Sequence, residues 1–174
     1  MDNKPVFSIS FGYGLLISVI LVIFKLILYL IGIDDQSYWQ LIYYILFAFG
    51  LLFTMYQVRN NRLNGFITYG KAFAIGFYAT LAVSIIMALY TYLFMTVINQ
   101  EMISDTLAQA EEKLLETNPD MSDEEISQAL ETVKLFVKPG VMAVSSFVFS
   151  IFTGLLLTLV SAAFVKKNKV EVEI

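Results

Sequence analysis

Cysteine and histidine are both absent from the chain. Without cysteine there is no disulfide, no thiolate nucleophile and no iron–sulfur ligation. Without histidine, the commonest general base and the commonest transition-metal ligand are missing together. Charge is scarce too: 15% of residues are Asp, Glu, Lys or Arg, against about 25% in soluble domains. No basic stripe exists beyond a few residues beside apolar runs, so nucleic acid is not an expected partner. The three prolines all lie outside the long apolar runs, and the broken spans of carrier folds are therefore not expected.

Apolar surface is what the chain has in excess. Of 174 residues, 58% are hydrophobic, and the mean hydropathy is +0.73. A soluble core of this length cannot hide so much apolar surface, whereas a lipid-facing protein need not. Four runs approach or exceed the ~20 residues that a helix needs to cross a bilayer: 11–33, 39–58, 72–98 and 141–165. The first is too long for the apolar core of a cleaved signal, and Leu30-Ile31-Gly32-Ile33 offers no small-residue cleavage site. The second is framed by Tyr38, Trp39 and Tyr56, amphipathic rings suited to the headgroup level. The expected fold class is all-α: an integral membrane four-helix bundle with an acidic helical hairpin outside the cytoplasm.

The organisation reads as three parts: residues 1–98 with three spans, 99–138 as the hairpin, and 139–174 with the fourth span and a basic tail. The stretch Lys71 to Thr117 runs from apolar to charged without a proline or glycine break after Gly76, and predicts one continuous helix leaving the membrane. Ile103, Leu107, Ala110 and Leu114 recur at three or four residues, one apolar stripe on a helix that Asn118-Pro119 stops. Ser122-x-x-Glu125 is a capping box opening a second helix. Ile126, Ala129, Leu130, Val133 and Phe136-Val137 form the apolar face of that helix, and Pro139-Gly140 is expected to end it. Twelve of the fifteen carboxylates fall in this segment or in the loop at Asp34-Asp35-Gln36-Ser37. Asp120 to Glu131 contains no glycine, so a calcium loop of the EF-hand type is not expected; solvated helix faces account for the acids.

Basic residues set the orientation. Lys and Arg gather on the cytoplasmic side of membrane proteins. With four spans, Lys4, Arg59, Arg62, Lys71, Lys166, Lys167 and Lys169 share one side. That side should be the cytoplasm, with both termini inside and these cations near anionic lipid. Lys113, Lys134 and Lys138 are the only basic residues opposite them.

Association of spans relies on small residues and polar contacts, because apolar side chains gain little by leaving lipid for one another. Two ladders at steps of four stand out: Ala72, Gly76, Thr80, Ser84 and Ala88 in the third span, and Ser146, Ser150, Gly154, Thr158 and Ala162 in the fourth. Antiparallel neighbours would meet along them. Gly14, Ser18, Lys25 and Gly32 mark one face of the first span. The second span, with Tyr43, Tyr44, Phe47, Phe49 and Phe53, is expected largely to face lipid.

Lys25 is the one ionisable group inside a span. An intramembrane charge costs about 2.5–3.5 kcal/mol at a helix centre on insertion scales and is a functional candidate by default. Two readings remain open: a cation that binds an anion or lines a path, and a side chain that snorkels to the outer headgroups. No span carries Asp or Glu, so a proton- or sodium-coupled carrier is not expected. No metal, cofactor or reaction is implied, and the chain does not read as an enzyme.

The segment Arg59-Asn60-Asn61-Arg62-Leu63-Asn64-Gly65-Phe66-Ile67-Thr68-Tyr69-Gly70-Lys71-Ala72-Phe73, leading into Gly76-Phe77, resembles the entry to the third span in domain of unknown function 4199. That is an uncharacterised family of Bacteroidota membrane proteins. The layout is similar as well: four spans, an acidic helical insert after the third, and a Lys-rich end. The resemblance implies an inner-membrane protein with the insert in the periplasm, and it brings no activity, ligand or catalytic residue. The expectation is a structural or accessory subunit acting through homo-oligomerisation or a membrane partner. The alternative is a pore or carrier for a small solute or anion that uses Lys25.

Overall fold

In lipid, a chain must satisfy its backbone N–H and C=O groups internally, and a helix does so within one segment. In the computed structural model, which describes residues 5–33 and 38–168, all four apolar runs are helical. The helices are α1 (Val6–Leu30), α2 (Trp39–Arg62), α3 (Tyr69–Leu93), α4 (Met102–Thr117), α5 (Asp123–Phe136) and α6 (Pro139–Val165), with a π-helical turn at Phe94–Ile98 after α3. The fold is all-α. Four of its helical segments, Val6–Leu30, Trp39–Arg62, Tyr69–Ile98 and Pro139–Val165, are long and apolar enough to cross a membrane. Lys4, the loop at Asp34 and Asp35, Lys169 and the tail beyond it lie outside the described residues.

Several boundaries differ from the sequence reading. The first span starts at Val6 and ends at Leu30, rather than running 11–33. Pro5 precedes it in an extended conformation, and Gly32, at φ 70°, sits past its end where a left-handed residue is cheap. The second continues past residue 58 through Arg62, so that Arg59 and Arg62 complement the negative C-terminal end of its dipole. The fourth begins at Pro139: the Pro-Gly pair opens α6 and does not merely close α5. Proline suits a first helical position because its missing N–H would have no partner there.

The continuous helix from Lys71 to Thr117 is also corrected. Regular α-helix ends at Leu93, the π turn follows, and Asn99 adopts φ −127°, ψ 80° before α4 starts at Met102. Thr96-Val97-Ile98 places three β-branched residues in succession, a weak helical stretch. The Asn99 N–H reaches back five residues to the Phe94 carbonyl at 2.7 Å, and the Gln100 side chain donates to the Thr96 carbonyl at 3.0 Å.

The chain divides into two compact units, one holding residues up to Met87 and from Val148 onward, the other Ala88–Phe147. In the first, Leu21, Phe47, Leu51, Met55, Ile75 and Val83 are fully buried. Phe47, expected on a lipid-facing helix, is 1% exposed, whereas Phe49 and Phe53 do lie on the surface. In the second, α4 and α5 pack against each other as consecutive helices. Ser122 caps α5 as a full capping box with Glu125. Ile126 and Val137 are buried and Ala129, Leu130 and Val133 half-buried, but Phe136 points outward at 65% exposure.

Candidate functional site

Small residues locate where helices come closest. Thr80 and Thr158 sit at the centre of the first unit, both fully buried, with their hydroxyl oxygens 3.3 Å apart. A Cβ placed on Gly76 would strike Met55 Cε and lie 2.6 Å from Thr158 Cγ2. One placed on Gly154 would strike Thr80 Cγ2 and lie 3.0 Å from Phe47 Cζ. Ala72 and Ala162 are buried in one apolar cluster with Met55, Val58, Ile67, Ile75 and Val165. Ser84 is buried and donates to the Thr80 carbonyl at 2.9 Å. Ser150 is half-buried. In the second unit, Ser146 accepts from Thr91 at 3.0 Å, and Ala88 is half-buried.

Two further close approaches involve α1: Gly14 was marked in the sequence as part of one face of the first span, whereas Gly50 of the second was not singled out. Gly14 of α1 lies against α3, where a Cβ would collide with the Ala79 carbonyl oxygen and lie 2.7 Å from Ala82 Cβ. Gly50 of α2 receives Ile17 of α1, whose Cγ1 would be 2.7 Å from such an atom. Gly50 stands among bulky residues outside the ladders read from the sequence; the usable signal was the glycine itself inside a helical run, where it is disfavoured without a packing reason. The hydroxyls near these contacts turn back to their own helices, Ser18 to the Gly14 carbonyl at 2.6 Å and Thr54 to the Gly50 carbonyl at 2.9 Å. Every buried side-chain N or O atom among the described residues has a hydrogen-bond partner.

The basic residues converge at one end of this unit. Arg59 donates to the Val165 carbonyl at 3.0 Å, placing a guanidinium on the C-terminal end of α6 where the helix dipole is negative. It also lies over the Tyr56 ring, 4.4 Å from the centroid. Ile67 and Lys167 exchange two backbone hydrogen bonds of 2.9 Å, a lone antiparallel bridge. The Lys167 ammonium lies 5.7 Å from the Phe66 ring centre. Ahead of the bridge, Asn64 and Gly65 both take positive φ, and the Gly65 N–H returns to the Arg59 carbonyl at 3.0 Å. The Tyr69 hydroxyl donates to the Leu159 carbonyl at 3.3 Å. The segment Arg59 to Phe73 is thus a clasp between the α2–α3 connection and the end of α6. Arg62, Lys71 and Lys166 are exposed around it. Lys71 stands in the first turn of α3, the end its charge does not complement, so helix electrostatics does not explain its position.

Lys25 is half-buried, with its ammonium 5.5 Å from the Tyr43 ring centre. It lies five residues before the end of α1, and Tyr43 four residues after the start of α2. At ~1.5 Å per residue each is within about 8 Å of a helix end, close enough for a lysine stem to span. On the second unit, the Glu125 carboxyl titrates below its ordinary range because the Ser122 backbone N–H and then its hydroxyl donate to it.

A family model described as a protein of unknown function, DUF4199, matches residues 12–167. Neither curated proteins nor solved structures gave a match.

Proposed function

The chain belongs to that family of proteins of unknown function, DUF4199, and we propose that it is a small multi-pass membrane protein acting as a structural or accessory subunit. It works through a second copy of itself or a membrane-protein partner. The observation carrying this reading is the packing of the first unit. Gly14, Gly50, Gly76 and Gly154 each leave less room than one methyl group requires. Their surroundings are filled by Phe47, Leu51, Met55, Ile75, Thr80 and Thr158. A centre so filled favours a rigid scaffold over a path through a single copy.

The proposed location is a bacterial inner membrane, with both termini cytoplasmic. Arg59, Arg62, Lys71, Lys166 and Lys167 gather where α2 and α6 end and α3 begins, in keeping with a cytoplasmic face. The acidic α4–α5 hairpin is then periplasmic and offers a polar handle to a partner. An anion path at Lys25 is the rival reading, and the ammonium's place over Tyr43 weighs toward interfacial anchoring. The test is purification of the tagged full chain from native membranes in mild detergent, with mass spectrometry of what comes with it and light scattering for particle mass. A stoichiometric membrane partner or a defined oligomer is expected. A lone monomer that conducts anions in liposomes, and stops when Lys25→Met is introduced, would overturn the scaffold reading.

A further inference from the structure

The α4–α5 hairpin has two unlike ends. Its tip, where α4 ends and α5 begins, is acidic, with Glu116, Asp120, Asp123, Glu124 and Glu125. At its root, in the last turn of α5, Leu135 and Phe136 stand outward at 57% and 65% exposure. Val133 in the same turn is half-buried and Val137 just after it buried, so the exposed apolar surface here falls on Leu135 and Phe136. Lys134 and Lys138 bracket the pair at a spacing of four.

Helix length says where this turn sits. At ~1.5 Å per residue, the 27 residues of α6 extend about 40 Å. That exceeds the ~30 Å hydrocarbon layer and nearly equals the ~40–45 Å bilayer with its headgroups. The first residue of α6, Pro139, therefore falls at headgroup depth, and only Val137 and Lys138 separate it from α5. The other arm of the hairpin gives the same indication. Val97 and Ile98, in the π turn before α4, are exposed at 66% and 44%. Exposed Leu and Phe between two lysines, joined to a span by two residues, match the chemistry of the lipid interface: apolar tips at the acyl boundary and ammonium groups on phosphates.

We infer that the last turn of α5 is a membrane-interface anchor, with Leu135 and Phe136 inserted among phospholipid acyl chains and Lys134 and Lys138 on the headgroup phosphates. This rests on the membrane-spanning reading above and adds a lipid-binding surface to it. The hairpin then stands with its root fixed in the outer interface and its acidic tip in water.

The test uses the full chain in phospholipid nanodiscs, with Trp39→Phe removing the native tryptophan. Phe136→Trp reports on the anchor, Leu115→Trp on the half-exposed flank of α4, and Leu156→Trp on an outward face of α6. The Phe136→Trp reporter should emit toward the blue and be quenched by lipids brominated high on the acyl chain but not by aqueous iodide. Leu115→Trp should show the reverse. Adding Lys134→Glu and Lys138→Glu should make the Phe136→Trp reporter accessible to iodide, and unchanged quenching there would remove the lysines from the anchor. Should Leu156→Trp escape bromine quenching, the membrane-spanning reading itself has failed. If that reporter is quenched as a span should be, iodide access at Phe136→Trp overturns the anchor alone. Shielding of Phe136→Trp from both quenchers would put it against protein and overturn the anchor too.

Discussion

Adding a single methyl group at Gly154 tests the packing of the third and fourth spans most directly. Exchanging glycine for alanine inside a helix gains about 1 kcal/mol of helix propensity. Gly12 has nothing within 4 Å of an added Cβ, so Gly12→Ala should show that gain or a part of it. At Gly154 the same carbon strikes Thr80 Cγ2 and comes within 2.9 Å of Thr80 Oγ1. Phe47 closes the other side, and both neighbours are fully buried with little room to yield. Overpacking a core in this way costs about 1–3 kcal/mol. Gly154→Ala should therefore fall between neutral and about 2 kcal/mol destabilised, and Gly154→Leu should lose more than about 3 kcal/mol. Thr80→Ala deletes both atoms that the methyl would strike. If the clash is the cause, Thr80→Ala with Gly154→Ala should be at least about 1 kcal/mol more stable than the sum of the single changes, the sign of direct coupling. The assay is reversible unfolding in mild detergent, followed by circular dichroism against temperature and denaturing surfactant. Strictly additive effects, or Gly154→Leu melting with the parent, would refute the close approach.

Three other outcomes follow from the same structure. Arg59→Met removes the cation from the Val165 carbonyl; discounted for its partial exposure, the loss is about 1 kcal/mol. Amide exchange at Lys166 and Lys167 should then quicken about five-fold, and unchanged exchange would show that the bridge holds without it. The Glu125 carboxyl has a lowered pKa when folded, so its cap stabilises α5 fully above the ordinary carboxylate value of 4.5 and is lost as pH falls through the lowered one. Protection of the first turn of α5, corrected for intrinsic exchange, should decline over that acid range in the parent and stay level in Glu125→Gln; matching profiles would count against the charge as the cause. Lys25→Met should insert and assemble about as well as the parent, since an ammonium near a helix end costs less than the roughly 2.5–3.5 kcal/mol of a helix-centre charge. A loss of oligomer or partner in that variant would make Lys25 an interaction residue.

The four apolar runs were readable because lipid leaves a long hydrophobic stretch little choice but helix. The capping box at Ser122 was readable because both partners of the reciprocal bond lie three residues apart in the chain. What escaped depends on neighbours distant in sequence. Phe47 is buried because Gly154 makes room beside it, a relation between residues over a hundred positions apart. Gly50 receives Ile17 of α1 across helices, and its own surroundings in α2 did not announce it. The π turn had a local sign in Thr96-Val97-Ile98-Asn99, outweighed in the reading by the unbroken apolar-to-amphipathic pattern. The clasp was visible only as a segment of distinctive composition; its partner, the carbonyl end of α6, is backbone and has no sequence signature.

That clasp also bears on the order of assembly. Arg59 and Val165 are 106 positions apart, and the Ile67–Lys167 bridge spans a similar interval. The α2–α3 connection leaves the ribosome long before Lys167, which pairs with it. Until then its turn, with two residues at positive φ, is held by short-range bonds to Arg59 and Leu63. The bridge can therefore close only once the fourth span has been made, which sets it among the late, long-range contacts of the fold.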